Sequence, residues 1–132
     1  MPRGKSCLVT NWSADELDRI GRAEELEISS QRADGTSRPF VTIWAVRAGD
    51  EVYVRSAHGT DNPWYRRALV TRLGRISAGG VERDVSFVVA GAEGQAEIDA
   101  AYHAKYDRFG AQYVAPVVSD ESHAATLRID PR

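Results

Sequence analysis

The chain has 132 residues, 42% hydrophobic and 27% charged, with a formal net charge of −2 at pH 7. That length suits one domain whose core needs no disulfide or metal staple, and the composition excludes a disordered chain. The near-neutral charge, with basic residues spread along the sequence, excludes a general electrostatic pull on nucleic acid. The single cysteine, Cys7, cannot form an internal disulfide, and no apolar run approaches the roughly 20 residues that span a bilayer. Met1 to Ser6 is short, polar and basic, unlike a secretory leader. The expectation is a cytoplasmic protein of one domain over residues 1–132, extended or partly disordered over 1–11, with neither nucleic acid nor membrane as partner.

Ser13 followed three residues later by Glu16 reads as a capping box. Leu17, Ile20 and Ala23 then follow at helical spacing, which predicts a helix over Ala14–Arg22 with Trp12 packed back on Leu17. From Glu25 the period changes to two, so Leu26 and Ile28 face one way on a strand. Asp34 to Pro39 reads as a loop. Phe40 to Arg47 is a β-prone run, Ala48-Gly49-Asp50 turns it, and Val52 and Val54 alternate with Tyr53 and Arg55 on the returning strand.

His58 to Asn62 is a polar loop. Asn62 suits a helix N-cap and Pro63 the first helical position, which predicts a helix to about Thr71. Arg75–Ala78 and Val81–Val89 flank Gly79-Gly80, a two-residue hairpin signal; Val81, Val85, Phe87 and Val89 share a face with Arg83. Ile98, Tyr102, Tyr106 and Phe109 recur every three or four residues, predicting an amphipathic helix from Gln95 that ends at Gly110. The tail from His123 to Asp130 alternates as a last strand. These elements make an α+β fold: six mainly antiparallel strands closed into a barrel, with about three helices outside it.

The stretch Arg38 to Val54, R-P-F-V-T-I-W-A-V-R-A-G-D-E-V-Y-V, with the following R-S-A-H-G-T-D-N-P-W-Y-R-R, resembles a bacterial family, the domain of unknown function 2255. W-S-A-D-E-L from Trp12 and G-R-I-S-A-G-G-V-E-R-D-V from Gly74 fit it too. The likeness runs from Trp12 to the C-terminus and brings no established activity. More remotely, the same region is similar to the split-barrel superfamily that binds flavins and deazaflavins, which includes pyridoxamine-phosphate-oxidase-like proteins and deazaflavin-dependent nitroreductases. In the deazaflavin reductases a strand ends in S-K-G-G and a loop leads to P-x-W-Y-x-N-L at a helix start. Ser56, Gly59, Pro63, Trp64 and Tyr65 stand at comparable places here, while Ala57 replaces the lysine and Arg67 the asparagine. The resemblance implies a split barrel, FMN or a deazaflavin as cofactor, oxidoreductase chemistry on a small organic molecule, and a homodimer.

A flavin asks a protein for cationic side chains and backbone donors at its phosphate, and for a flat apolar wall at its ring. Arg55, Ser56, Gly59, Trp64, Tyr65, Arg66 and Arg67 offer both at one loop-to-helix junction, with His58 and Tyr65 as candidate proton-transfer groups. The plainer reading is that Trp64 and Tyr65 pack the helix onto the barrel and that Arg66 and Arg67 form a solvated face. Trp44 either walls a ring pocket or fills core. The departures at Ala57 and Arg67 keep open a second function, a small-molecule-binding protein or non-redox enzyme on a barrel that has lost its flavin. His103 has Asp99 and Asp107 four residues to either side, a surface cluster; with no close His spacing, no metal is expected. Neither a Gly-x-Ser-x-Gly elbow nor a P-loop occurs.

Overall fold

Ser13 opens the first helix as its spacing predicts. Its hydroxyl accepts the Glu16 N–H at 3.1 Å, and the Glu16 carboxylate accepts the Ser13 N–H at 2.9 Å. The computed structural model describes residues 12–57 and 59–132; the expectations for 1–11, Cys7 included, and for His58 fall outside these. Helix α1 spans Ala14–Arg22 and buries Leu17 and Ile20. Strands β1 (Leu26–Ser30), β2 (Val41–Ile43), β3 (Ala45–Ala48) and β4 (Glu51–Arg55) follow, then α2 (Pro63–Thr71), β5 (Leu73–Ala78) and β6 (Val81–Val89). Helix α3 (Gln95–Tyr106) tightens into a 3₁₀ turn over Asp107–Phe109 before Gly110. Short helices α4 (Ala111–Val114) and α5 (Asp120–His123) lead to β7 (Thr126–Pro131).

The strands form one antiparallel sheet in the order β2-β1-β5-β6-β7-β4-β3. Its two edges are halves of the single run read as Phe40 to Arg47, interrupted at Trp44. Before Trp44 the chain pairs with β1 (Leu26↔Ile43), and after it with β4 (Ala45↔Val54). One bent strand thus joins both edges, and the sheet closes into a split barrel with its slit at Trp44. The expected six strands become seven segments because this bend counts twice.

The slit is sealed from outside by α3. Tyr106 Oη accepts the Ala45 N–H at 3.2 Å and donates to the Glu24 carbonyl at 2.7 Å, while Lys105 Nζ donates to the Ala45 carbonyl at 2.6 Å. Side chains of the helix supply the bonds that a neighbouring strand would otherwise make. The barrel interior is filled by alternate residues such as Ile28, Val54, Ile76, Val85, Phe87, Leu127 and Ile129, with α1 and α2 packed against the same cluster. A second cluster joins Val46, on the outer face of β3, to Ile98, Tyr102 and Tyr106 of α3 and to Val114 and Val117.

Two glycine sites are dictated by geometry. Gly79 and Gly80 have φ of 58° and 85°, as a two-residue hairpin turn requires. At Gly74 a Cβ would lie 2.2 Å from the Ser29 carbonyl oxygen and 2.8 Å from the Phe87 ring. Arg83, expected on the inward face of β6, turns at the barrel end to bond the Glu16 carboxylate at 3.1 and 3.2 Å.

Two differences from the sequence reading matter. The segment between Gly110 and β7 contains two four-residue helices, too short to register as a periodic pattern. The last strand begins at Thr126 rather than His123, because Ser119 caps α5 by accepting the Ser122 N–H at 3.2 Å. No described helix is long and apolar enough to cross a membrane.

Candidate ligand groove

The bend at Trp44 does more than close the sheet. Trp44 stacks on Tyr106 with ring centroids 4.0 Å apart and planes 6° from parallel, and Phe109 lies 5.8 Å away. Tyr106 is itself fixed by its hydroxyl bonds, so the indole is held flat beside the slit. Trp44 both packs and walls a pocket. With Val41, Ile43, Trp64, Tyr113 and Val117 it lines an open groove of about 440 Å³, within the roughly 300–1,000 Å³ of small-molecule sites. Its polar lining residues are Thr42, Arg55 and Asn62.

Arg55 underlies this groove, because its side chain has no solvent exposure. Its guanidinium is used up by protein partners. Nε donates to Thr126 Oγ1 at 3.1 Å, Nη1 to the Asp99 carboxylate and to the Val117 carbonyl at 2.8 Å, and Nη2 to the Gln95 carbonyl at 3.2 Å and to Gln95 Oε1. All five N–H donors have acceptors. Arg55 also lies over the Tyr102 ring, 5.4 Å from its centroid. It is a tie between β4, α3, β7 and the segment that carries Val117.

The loop after Arg55 places the remaining candidates differently from one another. Ser56 is fully buried; its N–H donates to the Ala125 carbonyl at 3.1 Å, and its hydroxyl has no partner among the described residues. Gly59 is buried with φ +80° and donates to the Ser56 carbonyl at 3.3 Å. Asn62 begins α2 without a side-chain cap bond. The expected cap is absent, so the first N–H groups of α2 receive no side-chain acceptor from it, and Asn62 borders the groove instead. Trp64 and Tyr65 meet edge to face, 6.1 Å apart. Trp64 reaches the groove, whereas Tyr65, 3% exposed, is part of the barrel core, and burial pushes its phenol pKa up. Arg66 and Arg67 are exposed. The structure therefore brings Arg55 and Trp64 to one cavity, leaves Arg66 outside it, and takes Tyr65 into the core. His58 lies outside the described residues.

The sequence reading missed the polar network under the groove. Asp99, assigned to a surface cluster with His103, turns inward: His123 Nε2 lies 2.9 and 3.0 Å from its carboxylate oxygens, beside the Arg55 contact. Among the described residues, His103 pairs with Asp107 alone, at 2.8 Å. The usable signal was Gln95 and Asp99 on the same helical stripe as Tyr102 and Tyr106, since polar groups on a buried face need buried partners. Tyr113 and Val117 carried no comparable signal.

Among solved structures, the fold is similar to an F420-H2 dependent reductase at a TM-score of 0.60 and 15% identity, covering 81% of this chain and 93% of that one. It is similar to HutZ, the heme storage protein from Vibrio cholerae, at 0.60 and 12%, covering 87% and 86%. A FAD-binding protein from Mesorhizobium loti matches at 0.53 and 14%, covering 94% and 91%. At these identities the likeness is one of fold. No protein of curated function matches the sequence. Residues 16–129, most of the chain, match the family described as "Uncharacterized protein conserved in bacteria (DUF2255)", and the protein belongs to that family.

Proposed function

We propose that the protein binds a flavin or deazaflavin in the groove at the barrel slit and acts as an oxidoreductase on a small organic molecule. The carrying observation is the flat, pre-stacked Trp44 facing a mostly apolar cavity of ring-sized volume. Several structural relatives are named for F420 or FAD, which makes a flavin-type ring the favoured occupant.

The residues present fit the ring. Trp44 and Trp64 offer aromatic surface, Val41, Ile43 and Val117 exclude water, and Asn62 offers hydrogen bonds at the rim. Such a cofactor would supply the hydride chemistry. The chain's own part is to hold the ring, shed water from one face and leave the mouth open to a second molecule. Tyr113, 58% exposed, stands at that mouth. Phe40 and Phe109, also exposed, support a homodimer as part of the same reading.

A specific observation favours a second reading, a small-molecule-binding protein or non-redox enzyme without a flavin. Ala57 lines the groove where related reductases carry a lysine, and the Arg55 donors are all engaged. One experiment separates the two. The protein, purified without added cofactor, is titrated with FMN and with deazaflavin while fluorescence and melting temperature are followed. Ligand at about 100 times its Kd should add roughly 2.7 kcal/mol of stability. No response to either compound moves the assignment to the second reading.

A further inference from the structure

Lysine is rare in this chain, which carries 15 arginines and two lysines, Lys5 and Lys105. Lys105, in the last turn of α3, is therefore the single side-chain amine among the described residues. It sits against the barrel slit. Its Nζ donates to the Ala45 carbonyl at 2.6 Å and lies over the Tyr106 ring, 5.1 Å from the centroid. Among the described residues, no carboxylate lies within ion-pair distance of it. The charge that acts on it has its own sign and comes from Arg108, three residues on. The ammonium is thus held by one carbonyl and one ring face, with no anion to keep its proton. Burial first, and Arg108 second, lower its pKa from 10.5 to about 8.

The neutral amine is the nucleophilic form of lysine, and partial desolvation is a common way to obtain it near neutral pH. An arginine at this place would stay protonated. Reagents can reach the site, because Lys105 is only half-buried and its helix neighbours His103, Ala104 and Arg108 are exposed. We infer that Lys105 is an acylation site, which takes its acyl group from an acyl phosphate. In the step, the Nζ lone pair attacks the carbonyl carbon of the donor and a C–N bond forms. The C–O bond to phosphate breaks, phosphate leaves with the electron pair, and the proton shed by Nζ passes to water. A neutral amine has two N–H groups, so the Ala45 bond survives the attack, and the product amide keeps one N–H for the same carbonyl. Acylation also ends the cost of a half-buried charge, so the product suits the site better than the ammonium does. Arg108 favours an anionic donor over a neutral one. The step needs no flavin and stands apart from the groove reading.

The test uses the full chain and acetyl phosphate, with acetylation of Lys105 followed by mass spectrometry of proteolytic peptides. Reaction of the folded chain is compared with that of the chain unfolded in guanidinium chloride. At pH 8 about half of the folded molecules carry a neutral Lys105, against well under one in a hundred for an ordinary lysine. The lower basicity offsets part of this excess, so folded Lys105 should react roughly tenfold faster than unfolded. Its rate should level off above about pH 8 in the folded chain and keep rising towards about pH 10 in the unfolded one. Equal or slower reaction in the folded chain, or a folded rate that climbs steadily to about pH 10, overturns the site. Lys105→Arg keeps the charge and removes the amine, and should leave the α3 peptide unacetylated; acetyl found there assigns a different nucleophile and overturns Lys105. Arg108→Met should slow acetyl phosphate roughly threefold more than it slows the neutral ester p-nitrophenyl acetate. Equal slowing overturns acyl phosphate as the donor. Should Arg108→Met not fold, competition in wild type decides: inorganic phosphate must slow acetyl phosphate and leave the ester untouched, and no such difference overturns that donor class.

Discussion

Arg55 and Asp99 form an ion pair beneath the groove, with the arginine side chain wholly buried and Asp99 about a quarter exposed, at 27%. The pair ties the end of β4 to α3, and Arg55 Nη1 also donates to the Val117 carbonyl, which holds the segment that supplies Val117. A buried pair is weak evidence for net stability, but breaking one leaves an uncompensated charge. Asp99→Ala should therefore destabilise the fold by about 3 kcal/mol in urea titrations. The double variant Arg55→Met, Asp99→Leu should lose clearly less than the sum of the two single changes. Additive losses would mean the two side chains act independently.

Gly74 faces the Ser29 carbonyl and the Phe87 ring with no space for a methyl group. The obstacle at 2.2 Å is backbone in the paired strand β1, which cannot rotate away. Gly74→Ala should cost on the order of 3 kcal/mol or prevent folding. Gly91, whose Cβ would meet nothing within 4 Å, is the matched control and should tolerate alanine.

Lys105 is half-buried against the Ala45 carbonyl, and burial lowers its pKa from an ordinary 10.5 to about 8, with Arg108 adding to the effect. Between those two values the unfolded chain binds more protons than the folded one, so stability rises with pH across that window. Below about pH 8 both states are protonated and the full cost of burying the charge is present. Above about pH 10 the trend reverses, since burial raises the Tyr102 and Tyr106 pKa values and the unfolded chain then ionises first. The expected gain from pH 7.5 to 9.5 is on the order of 1 kcal/mol, allowing for partial solvent access. It should be missing in Lys105→Met, as denaturant titrations at several pH values will report.

Trp44 has two duties that can be separated. Its stack on Tyr106 is worth about 1 kcal/mol beyond the area it buries, and its other face walls the groove. Trp44→Leu should lower stability modestly and weaken flavin binding about tenfold, while Trp44→Phe should recover most of both. Equal flavin affinity in wild type and Trp44→Leu would place the ring elsewhere.

Local chemistry was legible in the sequence wherever the cause was local. The Ser13–Glu16 cap, the Gly79-Gly80 turn, Pro63 at a helix start and the Tyr102–Tyr106 stripe each act through neighbours a few residues away, and each appears as read. The barrel followed from period-two runs joined as hairpins. Arg55 and Trp64 were readable as a nearby pair because one loop separates them.

What the tertiary structure alone decided depends on partners distant in the chain. Whether the Arg55 guanidinium is free or spent is settled by Gln95, Asp99, Val117 and Thr126, between 40 and 71 residues away. Trp44 faces a groove because the strand it interrupts changes neighbours there, from β1 to β4. Arg38, unremarkable in a loop, has its Nε buried and, among the described residues, without a partner only because the fold covers that atom. Periodicity and capping report a residue's local conformation; hydrogen-bond saturation and burial are properties of the closed barrel, and no short stretch of sequence contains them.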